Sequence, residues 1–204
     1  GPHGVLGSAG HAGSLPGSGS SDAAGRPEAA HATGMAGPRA NLPFTGIATF
    51  ARAPYVQAEA LQPGDAHFAV LGVPFDGAVG YRPGQRLAPR AIRDLSTRYA
   101  LPWGAGNPGY WDIQDDQWYL AGCRLVDVGD ADPLYTGLEH LDRSVPPLVG
   151  AITRARAIPV VLGGDHSITY PVLRALAPCF APGGICTGRR LHILQIDAHL
   201  DFTD

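Results

Sequence analysis

The chain of 204 residues is long enough for one sizeable hydrophobic core, so a single domain with some irregular tail is the expectation. Its formal charge of −3, with Lys absent and Arg scattered, leaves no basic stripe of the kind a nucleic-acid binder needs. No run approaches the roughly 20 apolar residues that cross a bilayer, which excludes a helical membrane span.

Residues 1–38 are rich in Gly, Ser, Ala and His and lack hydrophobic periodicity, so they are expected to form a disordered leader. The single Met, Met35, is a candidate native start, and nothing upstream has the basic end and apolar core of a secretory signal. The domain is expected over 39–204. Ala66–Val73 reads as a buried strand, followed by a Gly/Pro-rich loop over Pro74–Gly84. A helix beginning near Pro89 is expected to carry Ile92 and Leu95 toward the core. Trp103–Trp118 reads as an irregular surface excursion, aromatic and acidic.

Leu125–Val128 is a second short strand, and Pro146 and Pro147 are expected to interrupt a helical pattern and restart a helix through Ile152 to about Arg156. Ile158–Leu162 is a continuous apolar run closed by Gly163 and Gly164, the pattern of a central parallel strand covered on both faces. A helix over about Thr169–Leu176, a Gly/Pro/Cys loop and a strand over Leu191–Ile196 complete the series. Strands alternating with helices imply βαβ units and a parallel sheet.

In such a sheet, ligands gather at the carboxyl ends of the strands. Two strand ends stand out. Gly163-Gly164-Asp165-His166-Ser167 combines a sharp glycine turn with polar side chains, and Asp197-Ala198-His199-Leu200-Asp201 carries three metal-competent side chains at alternate positions. In an extended chain Asp197 and Asp201 would stand about 13 Å apart at roughly 3.3 Å per residue, too far to share one small metal centre. A bend just after Asp197 is therefore expected if all three are ligands. A His after a Gly pair is ordinarily a hydrogen-bonded structural residue, and an Asp at a strand end a cap. Together, His166, Asp197, His199 and Asp201 form a candidate ligand set, and imidazole with carboxylate and no thiolate favours Mn²⁺, with zinc second.

Cys123, Cys179 and Cys186 form no CxxC spacing, and their odd number argues against a disulfide framework, so a reducing cytoplasmic setting is expected. Cys179 and Cys186 would be able to pair across a loop in an exported protein.

Val161–Ile168 and Asp197–Asp201 resemble the first two metal motifs of the ureohydrolases, the arginase and agmatinase family. Upstream, Leu71–Gly77, Arg82-Pro83-Gly84 and Ala88–Arg93 are similar to that family's first strand, loop and helix, and Pro43–Phe50 to the agmatinase branch. The resemblance implies a three-layer αβα sandwich of arginase-like type, with its C-terminal part missing from this chain. It further implies two Mn²⁺ ions bridged by hydroxide, with His166 on one ion, His199 on the other, Asp197 bridging them and Asp201 completing the shell of the first ion. The implied reaction is hydrolysis of a small guanidino substrate, agmatine to putrescine and urea foremost, as a step of polyamine biosynthesis, by a homo-oligomeric full-length protein. Guanidinobutyrate and arginine are the next substrates. The family's paired aspartates of a third motif and its general acid do not occur before Asp204, so no catalytic residue is assigned and the chain alone is expected to turn over little substrate. Rival readings are an inactive ureohydrolase-like subunit and a single-zinc deacetylase of related fold, separable by metal content.

Overall fold

The computed structural model describes residues 42–199 except Ala100 and Tyr135; the expected leader, Leu200 and the candidate ligand Asp201 lie outside the described residues. The domain is mixed α/β. Three parallel strands form its sheet in the order β4-β1-β5, with β1 Phe68–Val73 in the middle, β4 Leu125–Asp130 on one side and β5 Ile158–Gly163 on the other.

The centre of the sheet is β1, not β5. Ala69, Val70, Leu71 and Val73 are sealed from solvent, whereas β5 is only half buried, because β1 alone has a ladder on both sides among the described residues. The period-2 alternation of β1 splits the core. Ala69, Leu71 and Val73 face the larger cluster, with α2 Glu139–Arg154 and α3 Thr169–Phe180, while Val70 joins Ala53, Leu125 and Trp103 on the opposite face. The outer edge of β4 is covered by the backbone of Pro54–Val56: Asp127 N–H donates to the Pro54 carbonyl at 2.9 Å, and Val56 N–H to the Asp127 carbonyl at 3.0 Å.

The two adjacent prolines do not break α2. It runs unbroken from Glu139 to Arg154 although Pro146 and Pro147 lack N–H donors, each a defect of about 3 kcal/mol in a helix interior. Leu141, Val145, Val149 and Ile152 recur on one face and are almost fully buried, and at about 1.5–3 kcal/mol per buried side chain that stripe outweighs the defects.

The first helix, α1 Ala88–Ser96, starts at the expected Pro but presents a different face. Ile92 and Leu95 are 37% and 67% exposed, while Pro89, Arg93 and Ser96 point inward. A buried carboxylate decides this orientation. Arg93 donates Nε to Asp127 Oδ2 at 2.8 Å and Nη2 to Asp127 Oδ1 at 3.0 Å, so α1 docks on β4 through a two-pronged ion pair rather than through its aliphatic residues.

The expected surface excursion contains a hairpin, β2 Tyr110–Asp112 with β3 Gln117–Tyr119. Cross-strand rings hold it together: Tyr110 stacks on Tyr119 at 5.7 Å, and Trp111 meets Trp118 edge-on at 5.8 Å.

The strand expected over Leu191–Ile196 is not in the sheet. These residues pair with no strand among the described residues, and Leu194 and Ile196 are 87% and 93% exposed. An apolar run is a strand only when a neighbouring edge receives it, and the described sheet ends at β5.

Candidate metal centre

The parallel order brings three strand ends to one side of the sheet: Val73 of β1, Asp130 of β4 and Gly163 of β5. The turn after β5 is tied to the loop after β1. Gly164 N–H donates to the Val73 carbonyl at 3.4 Å and Asp165 N–H to the Phe75 carbonyl at 2.8 Å. Gly164 lies so close to those two carbonyls that any Cβ there would overlap the Phe75 oxygen, which explains the glycine.

Asp165 organises this turn. One carboxylate oxygen accepts from Ser167 N–H at 3.0 Å and from the Ser167 hydroxyl, and the other accepts from Ala78 N–H at 2.9 Å across the gap to the first loop. Its carboxylate is thus committed to backbone, and it fixes where the next residue, His166, begins the turn that leads into α3. The first loop is closed in turn by Asp76, a buried carboxylate accepting from Gly84 N–H at 2.7 Å, Arg86 N–H at 3.3 Å and Arg86 Nε at 2.6 Å. The hydrogen bond from the Arg86 guanidinium holds Asp76 below the usual carboxylate range; burial opposes it, and the Gly84 and Arg86 N–H groups and the Arg86 charge add to it.

His166 is exposed at the mouth of this turn, and Asp197 comes close enough to feel its charge. The Asp197 carboxyl is held below its ordinary range first by the His199 N–H, which donates to Oδ1 at 2.9 Å. Burial opposes this, while a hydrogen bond from the Gln195 side chain and the charges of His166 and His199 reinforce it. The chain bends at Ala198–His199, as the ligand argument requires, and the His199 Nδ1 lies 3.6 Å from Asp197 Oδ1. The structure therefore pairs Asp197 with His199, and the His166 charge acts on this pair from the neighbouring turn. It does not close them into a cage: among the described residues no three His, Cys, Asp or Glu side chains gather as a metal-holding group. In kind, two imidazoles with a carboxylate and no thiolate fit a hard or borderline divalent ion.

The motifs did not reveal the supports of the site. Arg93 Nη1 donates to Asp130 Oδ1 at 2.5 Å and Nη2 to the Gly129 carbonyl at 2.8 Å, so one guanidinium braces the carboxyl end of β4. Burial works against the charge of Arg93, yet the hydrogen bonds it donates to Asp127 and Asp130, with the charges of those carboxylates, outweigh it and hold its pKa above the ordinary arginine value. Gly72 in β1 makes room for the bridge, since a Cβ there would overlap the Asp130 carboxylate. Nothing local in the sequence marks these partners, because Arg93 and Asp127 are 34 residues apart.

A parallel sheet with helices packed on it and loops gathered at the carboxyl ends of its strands defines an α/β protein. The model of the Arginase family matches residues 66–204, and the chain belongs to the arginase family. It is 35% identical over 136 residues to the mitochondrial guanidino acid hydrolase of Homo sapiens, covering 67% of this chain and 34% of that protein. It is 32% identical over 152 residues to the agmatinase of Pyrococcus horikoshii, covering 69% and 42%. Among solved structures, a hypothetical agmatinase from Burkholderia thailandensis aligns with a TM-score of 0.52 at 27% identity, covering 67% of this chain and 39% of that one. Proclavaminate amidinohydrolase from Streptomyces clavuligerus aligns at 0.50 and 29%, covering 67% and 41%. The chain thus spans well under half the length of these relatives. No helix among the described residues is long and apolar enough to cross a membrane.

Proposed function

We propose that the protein to which this chain belongs hydrolyses a small guanidino compound to urea and an amine, with His166, Asp197, His199 and Asp201 contributing to a centre for two Mn²⁺ ions. The match to the Arginase family over residues 66–204 carries the reading, and the pairing of Asp197 with His199, whose Nδ1 lies 3.6 Å from the Asp197 Oδ1, supports it. A guanidinium carbon is delocalised and a poor electrophile, so the reaction needs a strong nucleophile near neutral pH. Divalent cations supply this by lowering the pKa of water.

The chain's own residues do the positioning. Asp165 sets the turn so that His166 stands after the end of β5, and the Asp197 carboxylate, paired with His199, offers an anionic donor from the second motif. The departing amine must receive a proton, and we assign no residue of this chain to that role. Agmatine is our first substrate, on the resemblance of Pro43–Phe50 to the agmatinase branch and the likeness to the Pyrococcus horikoshii agmatinase. A carboxylate-bearing guanidino acid is the second reading, favoured by the likeness to the human guanidino acid hydrolase. We place the protein in the cytoplasm as a homo-oligomer.

The test is a urea-release screen of the full-length protein on agmatine, 4-guanidinobutyrate and arginine, beside metal analysis. Two Mn²⁺ per chain and turnover of one of these substrates support the proposal. A single zinc per chain, or full-length protein that releases no urea from any of them with Mn²⁺ supplied, overturns it. Residues 1–204 alone are expected to bind metal weakly and to release little or no urea.

A further inference from the structure

Outside this site, the only other candidate chemistry that sequence reading singled out is the Cys179/Cys186 pair, and the fold places the two together. Cys179 lies in the last turn of α3 and Cys186 on the loop that leaves it. Cys186 N–H donates to the Cys179 carbonyl at 2.7 Å. With that hydrogen bond in place, covalent geometry limits the two Cα atoms to about 6.6 Å apart, inside the window of about 4.4–6.8 Å that disulfides occupy.

The loop is held in this shape without any cross-link. Gly184 packs against the carbonyls of Pro178 and Cys179 so closely that a side chain there would overlap them, and Gly184 N–H donates to the Ala181 carbonyl at 2.9 Å. The Thr187 hydroxyl donates to the Ala181 and Gly184 carbonyls at 3.0 and 2.6 Å. The entropy of closing the loop is thus already spent in the reduced state, which raises the effective concentration of one thiol at the other. Both cysteines are half buried and line one cavity of about 530 Å³ with Ile158, Leu176, Phe180 and Leu191. Cys123, by contrast, is buried in the segment that leads into β4, where burial pushes its thiol pKa up, with the Arg124 charge opposing.

We propose that Cys179 and Cys186 are a dithiol–disulfide site that a small-molecule disulfide such as glutathione disulfide oxidises. One cysteine thiolate attacks a sulfur of glutathione disulfide and expels a glutathione thiolate. The second cysteine thiolate then attacks the protein-side sulfur of the mixed disulfide and expels the other glutathione. Two thiol protons leave the protein, two electrons pass to the oxidant, two glutathione thiols form, and one S–S bond joins α3 to the loop.

The experiment uses the full-length protein equilibrated in a series of glutathione and glutathione disulfide mixtures, quenched with N-ethylmaleimide, denatured and cut with trypsin. Cleavage after Arg174 and Arg189 leaves both cysteines in one peptide, Ala175–Arg189. The expected result is conversion of that peptide from a doubly alkylated form to one two hydrogens lighter than the dithiol and free of both reagents, with Cys123 alkylated only after denaturation. In Cys186→Ser the same mixtures are expected to leave glutathione on Cys179. Wild-type peptide that stays doubly alkylated across the series, that carries glutathione on either cysteine as its main oxidised form, or that appears only in covalent dimers overturns the proposal.

Discussion

Arg93→Ala tests whether the buried ion pair orients α1. Arg93 is 7% exposed and Asp127 1% exposed, so neither charge recovers full hydration in the folded state. In the wild type, Asp127 accepts four hydrogen bonds: two from the Arg93 guanidinium, one from Phe50 N–H at 2.8 Å and one from Gly129 N–H at 2.9 Å. The variant loses the first two and leaves an anion in the sheet with only two backbone donors. Removing one partner of a buried pair costs about 3–5 kcal/mol, and the two remaining donors place the expected loss near the lower end. Asp130 contributes little to this sum, because its carboxylate is nearly half exposed and regains water. Urea denaturation of the full-length protein, followed by circular dichroism, should show a loss of about 3 kcal/mol, which is more than a hundredfold in the folding constant. Arg93→Lys keeps the charge but not the two-pronged geometry and should fall between. Arg93→Met combined with Asp127→Leu removes both charges and should recover much of the loss. An Arg93→Ala variant that costs less than about 1 kcal/mol would refute the assignment of helix orientation to this pair.

Other perturbations probe the loops that carry the candidate ligands. Asp76 has a folded-state pKa below its unfolded value, so it stabilises the fold above the ordinary carboxylate range, and that stability is lost as pH falls through its lowered pKa. Asp76→Asn is therefore expected to flatten the acid limb of the stability–pH profile below about pH 4, measured by thermal unfolding; an unchanged limb would show that the loop is closed by something else. Gly164→Ala forces a methyl group into the Phe75 carbonyl and should cost about 2–3 kcal/mol while displacing His166, read as lost stability together with lost Mn²⁺ affinity. Asp197→Ala should abolish most Mn²⁺ binding by calorimetry with little change in unfolding midpoint, since its neighbourhood is exposed; undiminished affinity would remove Asp197 from the centre.

The strands β1, β4 and β5 and the start of α1 were legible because apolar runs closed by Gly or Pro are local signals. Orientation and rank within the fold were not. Ile92 and Leu95 looked like the inward face of α1 because aliphatic side chains usually are, yet one buried carboxylate on β4 outweighed them. The prolines in α2 failed as breakers for the mirror-image reason. Local chemistry opposed the helix there, and a long apolar stripe overrode it. In each case the deciding partner lies far along the chain, which a periodicity argument cannot see.

At the candidate centre the division is sharper. Spacing named the candidate donor types and called for a turn after Asp197, and among the described residues the chain bends at Ala198–His199. What spacing could not supply is the platform beneath the donors. The turn bearing His166 is gripped from both sides, by the Val73 and Phe75 carbonyls and by the Asp165 carboxylate bonded to Ala78 N–H, whereas Leu191–Ile196 rests on no ladder and exposes its aliphatic side chains. A metal pair needs ligands held to within a fraction of an ångström by rigid supports. The turn bearing His166 has such support within the described residues, and under the proposed function Asp197 would gain it if a strand edge received Leu191–Ile196. Metal affinity and the burial of this segment should therefore rise together: hydrogen exchange at Ile193–Ile196 is expected to slow in any form of the protein that binds Mn²⁺ tightly, and fast exchange there in a tightly loaded form would separate the two.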